Sequence, residues 1–180
     1  DVTLYWLKNI YVGGENMGCL GYSQEITDMY YYTPNVSGMF LSGLVRILTE
    51  HNEIFDETQK TFVTQRTHSI AKKLTSTVIL NDGIPYWHYV VNPDKANSPR
   101  PNDPVHHIYI LWGIEEYRDH FNEIAIPFSR NDSIASVDSF LRGCKIYHFP
   151  QNQIYTGADE QCNERPANLW GVGMVLAFYA

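Results

Sequence analysis

Between residues 82 and 107 the chain gathers a high density of rings and proton carriers. Tyr86, Trp87, His88 and Tyr89 are consecutive, and Asp103, His106 and His107 follow. Sugar rings present flat apolar C–H faces, on which aromatic side chains stack, while tyrosine hydroxyls and imidazole N–H groups supply directional hydrogen bonds. Trp87, His88 and Tyr89 are therefore candidate substrate contacts. Asp103 and His107 are four residues apart, so on a helix they share a face. A carboxylate beside an imidazole orients it and raises its basicity, which makes the pair a candidate for proton transfer. His106 diverges from His107 by about 100° around the same helix, so the two do not share one metal ion and His106 is assigned to substrate. No H-E-x-x-H is present, and no metal site or cofactor is expected. Each residue also has a structural alternative: the aromatics would pin a loop to the core, and Asp103 ahead of Pro104 would be an ordinary helix cap.

A rival chemistry rests on Cys19. It is one of three cysteines, with Cys144 and Cys162, and it sits in a glycine-flanked segment expected to precede a helix. A helix N-terminus lowers a thiol pKa, so Cys19 is a candidate amidase or peptidase nucleophile with His106 or His107 as base. Against this, the chain has little strand signal for the sheet such an enzyme needs. The odd count leaves at least one free thiol, and Cys144 with Cys162 are open to bridging.

The elements that must position these residues are mostly helices. Residues 1–22 are expected to be irregular, with a short strand suggested by Val2, Leu4, Trp6 and Ile10–Val12, then broken by Gly13, Gly14, Gly18 and Gly21. The rest, 23–180, forms one helical domain. A helix over 23–32 stops at Thr33-Pro34. Residues 36–51 are apolar around almost the whole circumference and predict a buried helix. Asp56 with Gln59 reads as a capping box opening a helix over 57–79, amphipathic through Val63, Thr67, Ile70, Leu74 and Val78. Residues 80–102 read as a long loop rich in proline. Helices follow over 103–122 and 132–146. A second polar, aromatic loop over 149–165 precedes an apolar helix over 167–180. Buried helices with central glycines (Gly43, Gly113, and Gly171 with Gly173) therefore alternate with half-exposed ones.

At 180 residues and a net charge of −7 the chain fits one globular domain. Its 13 basic residues are scattered, which excludes nucleic acid as a partner. No apolar run is long enough to span a bilayer. Abundant Tyr and Asn with scarce Lys suit an exported protein, so a periplasmic or secreted location is expected. The sequence begins without a signal peptide and ends inside an apolar helix, so the remainder of a longer chain is an expected partner.

Asp82-Gly83-Ile84-Pro85-Tyr86-Trp87-His88-Tyr89 and Asn102-Asp103-Pro104-Val105-His106-His107-Ile108-Tyr109 resemble a layout found in (α/α)-toroid carbohydrate-active enzymes, namely glycoside hydrolases, polysaccharide lyases and sugar epimerases. There an outer helix leads through an aromatic loop to an inner helix that opens with Asp and His near the funnel. The resemblance covers residues 20–180 and implies a mainly α fold. With about six helices, this would be a partial toroid or one part of a longer chain. It implies an enzyme that degrades a polysaccharide. A lyase would need a base for the proton beside a uronate carboxylate, with His107 and Tyr86 as candidates. It would also need a group to neutralise that carboxylate, with Arg100 as candidate. A hydrolase would need two carboxylates at a defined separation, from among Asp28, Asp82, Asp103 and Glu160. The second loop offers Tyr155 and Arg165 to the same opening. A non-catalytic carbohydrate-binding or interaction module is the alternative, with aromatics and no positioned acid–base pair.

Overall fold

The computed structural model describes residues 2–24, 32–89, 102, 104–143 and 169–180. Over these residues the chain is mainly α-helical, as expected, with two small hairpins. The first segment differs from expectation. Helix α1 spans Val2–Asn9, and β1 (Tyr11–Gly14) pairs antiparallel with β2 (Met17–Leu20). The alternation of Val2, Leu4 and Trp6 suggests a strand, yet Leu4, Leu7 and Ile10 recur at the three-residue spacing of one helix face, and all three are buried. The hairpin lies on a later helix. Ser69 Oγ meets Tyr11 Oη at 2.6 Å, while the phenol donates to Gly14 O at 2.8 Å. The Arg66 guanidinium stacks 4.1 Å from the centre of the Tyr11 ring.

Helix α2 spans Pro34–Glu50 and opens with its proline in the first turn, where a missing N–H costs nothing. Leu41, Leu44, Val45 and Leu48 bury the core face, but Met39 and Gly43 are exposed and Val36 and Phe40 only half-buried. The helix is thus not enclosed all round as its composition suggests. Helix α3 (Glu57–Ser76) begins at the expected capping box. Asp56 Oδ1 accepts from Gln59 N at 2.8 Å, and Gln59 Oε1 accepts from Asp56 N at 3.2 Å. Its buried stripe carries the expected Val63, Thr67, Ile70 and Leu74, but Val78, expected to continue it, lies past the helix end and is half-buried.

The expected long loop begins instead with a hairpin, β3 (Ile79–Asn81) paired with β4 (Ile84–Tyr86). Asp82 and Gly83 form its two-residue turn, with φ of 50° and 85°, as the mirror-image hairpin turn demands. Helix α4 spans Pro104–His120, and α5 spans Arg130–Gly143. Ser129 and Asp132 cap α5 reciprocally, with Ser129 N donating to Asp132 Oδ2 at 2.8 Å and Asp132 N donating to Ser129 Oγ at 3.2 Å. Helix α6 (Leu169–Tyr179) is apolar throughout. Met174 and Val175 are buried but Leu176 and Tyr179 are exposed, so it does not share the full burial expected of it. The expected helix over 23–32 and loop over 149–165 fall mainly or wholly outside the described residues.

Helix α4 contacts α2, α5 and α6; α3 packs on α2 and on β2, and α5 also contacts β4. The α2–α4 crossing has no side chain between the backbones. A Cβ on Gly38 would lie 2.5 Å from Ile110 Cα, and one on Gly113 would strike the Gly38 carbonyl group, 2.8 Å from its carbon. Only glycine permits this approach. The partner of Gly113 in α2 is therefore Gly38 and not the central Gly43, around which there is open space.

Candidate functional site

The structure divides the aromatic–histidine segment into an inner and an outer group. Side chains alternate faces along an extended segment. Trp87 accordingly turns inward and is fully buried, while Tyr86, His88 and Tyr89 are half-buried. The Trp87 indole donates to Leu74 O at 2.9 Å and packs edge-on against Phe128. The Trp87 ring is enclosed in the core and leaves no face for a sugar to stack on.

His107 belongs to the same inner group, 5.7 Å from Trp87 ring to ring and fully buried. Its Nε2 lies 2.7 Å from Ser136 Oγ, and that hydroxyl donates to Pro85 O at 2.6 Å. A hydroxyl has one proton, so Nε2 is the donor to Ser136 and the ring is the neutral Nε2–H tautomer. Burial pushes its pKa down to about 3. At neutral pH this imidazole neither carries charge nor meets solvent, which suits a core hydrogen-bond relay better than a catalytic base. Burial raises the Tyr86 pKa, and this ring stands edge-on to His88 at 6.4 Å. Asp103, Arg100, Tyr155 and Arg165 lie outside the described residues, as do Asp28 and Glu160. Asp82 is exposed at the hairpin tip.

The outer group is built on His106. The divergence of adjacent helical residues carries it away from the core, where it stands edge-on to Tyr89 at 5.2 Å and near Tyr109 at 6.3 Å. His106 and Tyr109 form one wall of a pocket of about 450 Å³. Trp6 reaches it from α1 and Ile10 from just past the end of that helix, with Tyr22 just beyond the first hairpin. Asn35, Val36, Met39 and Phe40 reach it from the opening turns of α2. This accounts for the apolar residues that α2 carries beyond its core stripe. Among the described lining residues none is Asp, Glu, Lys or Arg. Asn35 is 6% exposed, and its buried Oδ1 has no hydrogen-bond partner. Trp6, Tyr22, Asn35 and Phe40 were not legible as site residues, because three separate elements bring them together. Asn35 behind Pro34 reads simply as the start of a helix.

A second depression of about 500 Å³, between α2, α4, α5 and the end of α6, is charged. Its carboxylates are already occupied. Glu115, 8% exposed, accepts from Arg118, Arg130 and Ser133. Glu116 accepts from Arg46 at 2.6 Å and from the Trp112 indole, and Asp119 pairs with Arg130. The contacts of Arg46 and Arg130 tie the helices together, and sequence spacing offers a sign only of the Glu115–Arg118 and Trp112–Glu116 pairs within α4.

Cys19 lies in strand β2 and not at a helix N-terminus. Its thiol is buried, contacts Val12 O at 3.6 Å, and burial pushes its pKa up to about 11. This is the environment of an inert thiol, and it gives the nucleophile reading no support. Cys144 and Cys162 lie outside the described residues. Among those residues no group of three or more His, Cys, Asp or Glu is placed to hold a metal ion, and no helix is long and apolar enough to cross a membrane. Comparison with family models, with curated proteins and with solved structures returned no match.

Proposed function

We propose that this chain binds carbohydrate in the pocket between α1, α2 and α4, as a section of an (α/α)-toroid-like array. The observation that carries the proposal is the pocket lining, in which the rings of Trp6, Tyr22, Phe40 and Tyr109 occur together with Asn35 and His106. Ring faces suit sugar C–H faces, and a few convergent polar groups suit sugar hydroxyls. Binding without cleavage is the primary reading, because His107 is locked in the core and the described carboxylates of the charged depression are already paired. A secreted or periplasmic location accords with such a ligand and belongs to the same proposal.

A second reading keeps the lyase chemistry and moves its base from His107 to His106, which the structure places between Tyr89 and Tyr109. One experiment separates the two. The chain is titrated with a panel of neutral and uronate oligosaccharides, following tryptophan fluorescence, reducing ends and unsaturated-uronate absorbance together. Saturable binding without new products supports the binding module. Unsaturated products that vanish in His106→Ala support the lyase. If no oligosaccharide binds, or Tyr109→Ala binds as the parent does, the pocket is not a sugar site.

A further inference from the structure

We infer that His68 is a pH-operated latch between α3 and the end of α4, holding the Tyr117 hydroxyl while neutral and passing to the Glu123 carboxylate once protonated. The inference is independent of the carbohydrate reading above.

The first observation is the pairing. Tyr117 is fully buried, and its Oη lies 2.8 Å from His68 Nδ1. Among the described residues no other hydrogen bond reaches that hydroxyl. A phenol proton in the interior needs an acceptor, so Tyr117 donates and Nδ1 accepts, which makes His68 the neutral Nε2–H tautomer. Burial, and then the Glu123 carboxylate, push the Tyr117 pKa far up, so the phenol keeps its proton. Phe121, just past α4, stacks on Tyr117 at 5.3 Å and stands edge-on to His68 at 5.2 Å, so the three rings pack as one cluster.

The second observation is a partner already in place. Glu123 Oε2 lies 3.9 Å from the same Nδ1, and the Asn122 N–H donates to that oxygen at 3.0 Å. The His68 side chain is 24% exposed and the Glu123 side chain 50%, so solvent protons reach the ring. Among the described residues, the titratable groups that face His68 are Tyr117 of α4 and Glu123 of the segment after it.

Protonation places a hydrogen on both ring nitrogens. Nδ1 then accepts nothing, and the Tyr117 proton faces another donor in the interior, which costs its hydrogen bond. The imidazolium gains instead an anion within ion-pair distance. Burial lowers the His68 pKa, and Glu123 pulls it partly back up. The folded ring therefore resists the proton more than the unfolded chain does. The latch holds fully above the ordinary histidine pKa and is lost as the pH falls below it.

The test follows the His68 and Tyr117 rings of the full chain by NMR from neutral to mildly acid pH. At neutral pH the His68 nitrogens should report the Nε2–H tautomer. On acidification the Tyr117 ring carbons should titrate with the His68 midpoint. Tyr117→Phe removes the donor and should let His68 protonate at a roughly three- to tenfold lower proton concentration. Glu123→Gln removes the anion and should demand a proton concentration about two- to fivefold higher. A histidine that only fills space would leave the Tyr117 signals flat and its own midpoint unmoved by either substitution. The Nδ1–H tautomer, or Tyr117 signals that ignore the His68 titration, overturns the inference on the unsubstituted chain, whatever the variants do. So does a midpoint that Tyr117→Phe fails to raise or Glu123→Gln fails to lower.

Discussion

Replacing Gly38 with alanine sets two known effects against each other inside one helix. Alanine favours a helix by about 1 kcal/mol over glycine. At Gly38, however, the new Cβ would stand 2.5 Å from Ile110 Cα and 2.7 Å from Tyr109 O, where ordinary contact begins near 3.4 Å. Relief requires α2 and α4 to part by about 0.9 Å, and backbone cannot rotate out of the way as a side chain can. A radial gap of that size forfeits roughly a quarter to a half of each dispersion contact across the crossing. Overpacking of this kind costs typically 1–3 kcal/mol, and a backbone wall puts it near 3. Subtracting the helix gain leaves a net loss of about 2 kcal/mol. Gly43 in the same helix has open space around its Cβ position, so Gly43→Ala should gain up to about 1 kcal/mol. For a chain of this length these values correspond to roughly 4–8 °C lower and 2–4 °C higher melting. Urea denaturation followed by far-UV circular dichroism, with thermal melts alongside, measures both. If Gly38→Ala matches or exceeds the parent in stability, the crossing is not glycine-dependent and the packing argument fails.

Acid should weaken the fold through His107. The unfolded chain takes up this proton near pH 6.5, while the folded chain resists it until about 3. Stability is therefore full above about pH 6.5 and falls as the pH drops from there, by up to about 1.4 kcal/mol per pH unit for one proton. Burial lowers the His68 pKa as well and adds in the same direction. His107→Gln should make the acid limb of a stability–pH profile shallower by close to one proton, and an unchanged slope would contradict the buried neutral imidazole. Trp87→Ala should cost about 3–5 kcal/mol in a denaturation experiment, since it empties a fully buried site; a variant that stays stable and loses only ligand affinity would restore Trp87 as a binding platform. Glu115→Ala should cost about 2–3 kcal/mol, because Arg118, Arg130 and Ser133 lose a shared acceptor. Arg46→Ala should cost under about 1 kcal/mol, because its side chain is 51% exposed. Equal losses in the two variants would refute the distinction between buried hub and exposed pair.

Where local signals are strong, the sequence announces its elements. The Asp56–Gln59 box, Pro34 and Pro104 mark helix starts within two residues or closer, and the Val63–Leu74 stripe identifies the buried face of α3. Two kinds of information were hidden. The first concerns competing periods, as in α1, where an alternating reading of Val2, Leu4 and Trp6 hides the Leu4–Leu7–Ile10 face. The Asp82-Gly83 pair is a strong hairpin signal, but its flanking strands are only three residues each and are lost among prolines. The second concerns assembly. Adjacent His106 and His107 diverge as helix geometry requires, but only the packed structure decides which faces the core. It chose His107, the residue favoured for chemistry. The pocket was invisible for the same reason: no spacing in the chain relates Trp6 to Asn35 or to Tyr109.

The Ser136 hydroxyl also has a consequence for how parts of the molecule open. Strands of three residues do not hold a hairpin on their own. The β3–β4 hairpin persists because Pro85 O is held by Ser136 of α5, and the Trp87 indole just beyond it is held by Leu74 O of α3. Releasing α5 therefore releases the hairpin, so amides of both should exchange with solvent at one common rate, as a single cooperative unit. Tyr89, which stands edge-on to His106, sits three residues past the end of β4. The edge of the pocket thus breathes with α5, a helix that does not line it.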